Sequence, residues 1–194
     1  MITSFRKISL LAAVVFILTA FSVPKGWVKA GSMAAKYETG TVNVEGSNRQ
    51  AAYLKSVDDE ITGFGTLMQQ FSAAAYKGKR LQFSARVRTE QVKNRAGLWM
   101  RIDQHGSTTS LAFDNMEARP VKGDTEWTRY NIVLDVPEPA SLISFGVLLS
   151  GTGQVWITDV ALNAVDGSVP TTAPTRSLEA KTFPLQPVNL DFQQ

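Results

Sequence analysis

Trp99, Arg101 and Asp103 stand at every second position of the segment Ala96–Asp103. If that segment is a β-strand, these three side chains emerge on one face. Ala96, Leu98, Met100 and Ile102 then form the apolar face opposite. An indole beside a guanidinium and a carboxylate is what a sugar platform needs. The ring stacks on the apolar side of a pyranose, and the charged groups bond its hydroxyls. Asp114, Asn115, Met116 and Arg119 follow shortly after and could extend the surface. Gln69 and Gln70 could reach it from another strand. The competing reading is that a loop covers Trp99, because alternation predicts a face and not its exposure.

Other chemistry finds fewer residues. A Ser/His/Asp triad needs a histidine as its base, and the chain has one, His105, in a Gln-His-Gly-Ser turn. A solvated loop histidine is the reading favoured there. No GxSxG elbow, HExxH helix or phosphate-binding glycine loop occurs in the sequence. Asp103 and Asp114 could serve as the paired carboxylates of a glycosidase. The simpler expectation is that they cap strand ends or pair with Arg101 and Arg119 at the surface. With no cysteine and a single histidine, disulfides, thiolate sites and multi-histidine metal sites are excluded.

These residues need elements to position them. The chain has 194 residues, 44% hydrophobic and 19% charged. That suits one ordinary domain with short extras, large enough to bury a core without staples. From Gly26 to Val165 the dominant period is two. Leu81, Phe83, Ala85 and Val87 alternate with Gln82, Ser84, Arg86 and Arg88, and Tyr130, Ile132, Leu134 and Val136 repeat the pattern. Both read as half-buried antiparallel strands. Further strands are expected at Trp27–Ala30, Tyr37–Val44, Ala51–Val57, Phe64–Phe71, Ala96–Asp103, Ser110–Asp114, Leu142–Leu149 and Val155–Val165. Glycine-containing turns separate them, and a short helical turn is possible near Ala73–Tyr76. About ten short strands at this spacing indicate a sandwich or a barrel. Trp27, Trp127 and Trp156 read as core or rim residues.

The two ends differ from this middle. Met1–Lys7 is short and positive, and Ile8–Phe21 is uncharged and almost wholly apolar. Ala20 and Ser22 place small residues at −3 and −1 of a cut after Ser22. This is the pattern of a secretory signal peptide over residues 1–22, with export to the periplasm or exterior as the expectation. A buried core helix and an uncleaved membrane anchor are the rivals. The apolar run is shorter than the ~20 residues that span a bilayer comfortably. Without Arg6 and Lys7 the chain holds 18 basic and 17 acidic residues. That near-neutral balance speaks against nucleic acid as a partner. Residues 167–194 carry four prolines with several Thr and Ser and read as an extended tail.

Gly151-Thr-Gly-Gln-Val-Trp-Ile-Thr-Asp-Val160 resembles the closing strand of galactose-binding-like jelly rolls, which include many carbohydrate-binding modules. Phe64–Phe71, followed by Lys77-Gly-Lys-Arg-Leu81 entering a strand, resembles the middle of that family. GWVKAGS (26–32), GFGTLMQQF (63–71), GLWMRID (97–103), LAFDNM (111–116) and FGVLLSG (145–151) resemble an uncharacterised bacterial sandwich domain associated with transcriptional-regulator labels. The likeness covers Gly26–Asp166. No helix-turn-helix pattern accompanies it, so the regulator label is not carried over.

The resemblance implies an all-β, antiparallel β-sandwich of jelly-roll type over residues 23–166. It also implies a non-catalytic module for carbohydrate or another polar cell-envelope ligand. Trp99 would stack, with Arg101, Asp103, Asp114, Asn115 and Gln70 bonding the ligand. A structural Ca²⁺ is implied more weakly, with Asp159 at the position of the family's acidic last-strand residue. The family's acidic opening strand is missing here, where the sequence reads Gly26-Trp-Val-Lys-Ala. No other cofactor is expected. Two alternatives stay open: a protein–protein or envelope scaffold using the tail and Asn189-Leu-Asp-Phe192, and a weak glycoside hydrolase using Asp103 and Asp114. Membrane contact is expected only through an uncleaved leader.

Overall fold

The alternating apolar side chains Leu81, Phe83, Ala85 and Val87 are all fully buried, as are Leu98, Met100 and Ile102. The two runs are expected to be separate strands, but they belong to one. In a computed structural model that describes residues 23–173, a single 24-residue strand, β5, spans Arg80–Asp103. The strands before it are β1 (Val28–Ala30), β2 (Tyr37–Asn43), β3 (Gln50–Ser56) and β4 (Phe64–Ser72). Those after it are β6 (Ala112–Asp114), β7 (Val121–Asp135), β8 (Leu142–Ser150) and β9 (Gln154–Val165). Among the described residues the only helical element is a 3-10 turn at Ala34–Lys36. The segment Ala73–Tyr76 is a turn closed by Tyr76 N donating to Ala73 O.

β5 organises the molecule because it belongs to both layers of the sandwich. Its first half lies between β7 and β9, and its second half between β8 and β6. The layers are therefore β7-β5-β9-β3-β2 and β1-β4-β8-β5-β6, antiparallel at every pairing. The polar stretch between the two apolar runs turns the corner. Register shifts fall between Val87 and Thr89, Thr89 and Val92, and Val92 and Ala96, and Gln91 has φ +52°. Such irregularities bend a strand from one sheet into the next. The result is the antiparallel jelly-roll sandwich that the periodicity and the resemblance indicate.

The core fills the space between the layers. Phe145 of β8 packs edge-on against Phe83 of β5, with ring centroids 4.9 Å apart, and against Phe71 and Trp27 at 5.9 and 5.8 Å. Strand β8 differs from the rest in being buried on both faces from Ile143 to Leu149. One face meets the core. The other is the floor of the cleft described below.

The expected tail starts differently. Thr172 N donates to Val133 O at 2.9 Å, and Val133 N donates back to Thr172 Oγ1 at 3.0 Å. Arg80, paired with Asp135, donates to the carbonyls of Gly167 and Val169 at 2.6 Å. Thr172 thus docks on β7, and Gly167 and Val169 on Arg80 at the start of β5. The leader at 1–22 and the rest of the tail, including Asn189–Phe192, lie outside the described residues.

A candidate ligand-binding cleft

On the second half of β5, alternation aims Arg95, Gly97, Trp99, Arg101 and Asp103 away from the core. The register then lays them out in rows across the sheet. Trp99 aligns with Gly146 of β8, Met68 of β4 and Val28 of β1. Arg101 aligns with Phe113 of β6 on one side, and with Ser144 and Gln70 on the other. Trp99, Arg101, Asp103, Met68, Gln70, Ser144 and Phe113 line an open cleft of about 470 Å³ on the outer face of this sheet, with Phe64, Arg95 and Asn115 at its margins.

Trp99 forms the centre. Its Nε1 donates to Thr66 Oγ1 at 2.7 Å, and Thr66 Oγ1 donates to Val147 O at 2.9 Å. Thr66 lies on β4, two strands from β5, so the indole reaches across β8. Gly146 sits beneath this span. A Cβ at that position would lie 2.2 Å from the Leu67 carbonyl oxygen, so only glycine lets β4 and β8 approach this closely. The indole is half-buried, and its single polar atom is bonded inside the protein. What it presents is an oriented apolar ring.

The polar groups gather at one side of the ring. Arg101 Nε donates to both carboxylate oxygens of Asp103, at 2.8 and 3.0 Å. The Arg101 side chain is 41% exposed and that of Asp103 is 18% exposed. Neither terminal nitrogen of Arg101 has a partner among the described residues. Gln70 is exposed, and its Nε2 donates to Ser144 Oγ at 3.0 Å. Asn115 Oδ1 accepts from Glu117 N at 3.1 Å, and its carbonyl accepts from Arg95 at 3.3 Å.

Five of the six residues expected at a platform meet in this cleft: Trp99, Arg101, Asp103, Asn115 and Gln70. Asp114 does not. It aligns with Met100, a core-facing residue, and its side chain is 6% exposed. There it accepts from Arg119 at 2.6 and 3.2 Å and from Met116 N at 2.8 Å. The physical reason is register. In a three-residue strand either phase of alternation is open, and pairing with β5 turns Phe113 outward and the aspartate inward. Gln69 is likewise one position out of phase with the cleft.

The same geometry removes the paired-carboxylate reading. Asp103 and Asp114 lie on opposite faces of one sheet, each bonded to an arginine. They are not disposed on either side of a common substrate.

Asp159 does not fit a calcium site. It occupies a bulge in β9 with φ +52°, and its carboxylate meets Arg49 at 2.5 Å and Arg129 at 4.0 Å. Ca²⁺ requires six to eight oxygens. Among the described residues no group of three or more His, Cys, Asp or Glu could hold a metal. His105 is exposed in its turn.

Sequence reasoning missed Phe64, Phe113 and Arg95. Both phenylalanines are 40% exposed. For Arg95 the signal was present, since it has the same parity as Trp99. For Phe113 it was hidden behind the assumption that the aspartate faces out. Trp127 and Trp156 lie on the outer face of the other sheet, with Arg86 and Arg88 over their rings at 6.0 and 5.0 Å. Trp127 lies within β7.

No family model matches the chain. A protein of Bacillus subtilis (strain 168) named "Uncharacterized HTH-type transcriptional regulator YbfP" is 47% identical over 174 residues, which is 88% of this chain and 57% of the relative. The chain thus spans a little over half the length of that curated relative. Among solved structures, the enzymatically active domain of bacteriophage CBA120 tailspike protein 4 is similar with TM-score 0.56 and 11% identity, over 76% of this chain and 20% of that one. The CBM22-1 xylan-binding domain from Paenibacillus barcinonensis Xyn10C gives 0.52 and 13%, over 74% and 88%. The C-terminal family 22 carbohydrate binding module of Clostridium thermocellum Xyn10B gives 0.50 and 15%, over 76% and 89%. At these identities the likeness is one of fold: the chain shares the β-sandwich of carbohydrate-binding modules.

Proposed function

We propose that this chain is an exported, non-catalytic binding module whose cleft takes a carbohydrate. The observation that carries the reading is the half-buried, internally tethered indole of Trp99 at the centre of an open cleft. A pyranose presents one apolar face, and an oriented aromatic ring is its natural complement. The rim supplies polar groups for the hydroxyls from Arg101, Asp103, Gln70 and Asn115. A volume of about 470 Å³ falls in the range of small-molecule sites. Two of the modules that share this fold carry carbohydrate or xylan binding in their names, which supports the ligand class. The basic and apolar start of the sequence supports export.

The test is a titration of the chain with soluble polysaccharides and cell-wall fragments while intrinsic tryptophan fluorescence is followed. A saturable shift with one glycan class, lost in Trp99→Ala, is the expected result. A flat response across the panel rejects the reading and leaves a scaffold role.

A further inference from the structure

The hydrogen-bonding balance of the cleft is uneven. Most of its side-chain acceptors already take a hydrogen bond, while Gln70 Oε1 has no partner among the described residues. Both Asp103 oxygens take the Arg101 Nε, Asn115 Oδ1 takes Glu117 N, and the Asn115 carbonyl takes Arg95. Donors remain. Among the described residues both terminal nitrogens of Arg101 lack partners, and Arg95 uses one nitrogen alone. Trp99 Nε1 is directed at Thr66.

Charge points the same way. Of the residues that line the cleft, Arg95 and Arg101 are the basic ones and Asp103 the acidic one. The single carboxylate is bonded to one guanidinium, leaving one net positive charge. A neutral sugar offers hydroxyls that both donate and accept, and it is served best by a mixture of donors and open acceptors. A cleft with donors in surplus suits a ligand with acceptors in surplus.

Resting on the carbohydrate reading above, we infer that the cleft recognises a glycan bearing carboxylate groups. Arg101 is its specificity-determining residue. Arg101 lies two residues from Trp99, about 7 Å along the strand, so the carboxylate of a sugar stacked on the indole falls within its reach. Asp103 acts as a positioning residue. By binding Nε it turns the two terminal amino groups outward as a planar fork, the geometry that pairs with a carboxylate through two parallel bonds. Arg95 lies four residues to the other side, about 13 Å away, and meets a carboxylate further along the same chain.

The experiment measures affinity by calorimetry for matched oligosaccharides that differ in a C6 carboxylate: cello-oligosaccharides against glucuronans, and manno-oligosaccharides against mannuronans. A sulfated glycan is included. The carboxylated member is expected to bind about tenfold more tightly, with the advantage shrinking as salt is raised. Arg101→Gln is expected to abolish that preference while weak binding of the neutral member persists. Arg101→Lys, which keeps the charge and loses the fork, should restore only part of it. Arg88→Gln, on the other sheet, should change nothing. Equal affinity for neutral and carboxylated members overturns the inference and leaves the carbohydrate reading standing. Binding of the sulfated glycan as tight as that of the carboxylated ones overturns the assignment to carboxylate. Failure of every glycan overturns both readings.

Discussion

The indole Nε1 of Trp99 and the hydroxyl of Thr66 are joined at 2.7 Å across an intervening strand. This one bond fixes the plane of the ring, and it also explains why a tryptophan on the outer face of a sheet is half-buried. Thr66→Val keeps the shape and removes the acceptor. It should leave the indole N–H unpartnered and lower stability by about 1–3 kcal/mol. Glycan affinity should fall as the ring loosens. Denaturant unfolding and the fluorescence titration check the two effects, and Thr66→Ser should restore both.

Phe64 and Phe113 mark the two ends of the cleft. They sit on β4 and β6, three strand spacings apart, roughly 14 Å across the sheet. Each is 40% exposed, so truncation to alanine should cost about 1 kcal/mol of stability, less than at a fully buried phenylalanine. Each truncation should cost affinity for long oligosaccharides and leave short ones unaffected. An affinity series against chain length reads this directly.

Asp103 and Asp114 should behave oppositely. Asp114→Ala strands the Arg119 guanidinium and Met116 N, whose bonds it accepts. It should therefore cost about 1–3 kcal/mol of stability. Asp103→Ala frees an already exposed arginine and should cost little stability, yet it should weaken ligand binding by releasing the fork. Thermal unfolding beside calorimetry separates the two.

Tyr37 gives the fold an alkaline limit. It is 1% exposed, its hydroxyl donates to Gly151 O at 2.8 Å, and burial pushes its pKa up from 10 to about 12. The folded state therefore holds the phenolic proton more tightly than the unfolded chain does. The associated stability is complete below pH 10 and is lost as pH rises from 10 to about 12, amounting to about 2–3 kcal/mol. Tyr53 acts in the same direction, raised by burial and then by Glu38. Unfolding followed against pH should show the loss, and Tyr37→Phe should remove most of it.

Period-two patterning made the strands legible, because an apolar side chain at every second position can be buried only by a pleated strand. The same parity placed Trp99, Arg101 and Asp103 together, but it did not choose between Gln69 and Gln70, which the pairing of β4 with β8 decided. It could not join Leu81–Thr89 to Ala96–Asp103. The stretch between them is polar and irregular whether it forms a loop or a corner. Short β6 carries too few positions to reveal its phase.

What the sequence determined by itself was local: which residues alternate, and therefore the all-β class and the face of β5 that carries the tryptophan. What the tertiary structure alone decided was the pairing. Register against β5 sent Asp114 inward and Phe113 outward, brought Thr66 beneath the indole, and placed two arginines beside Asp159. Those outcomes depend on neighbours tens of residues away in the chain. A one-residue slip in pairing reverses which face a side chain occupies while leaving the sequence pattern unchanged.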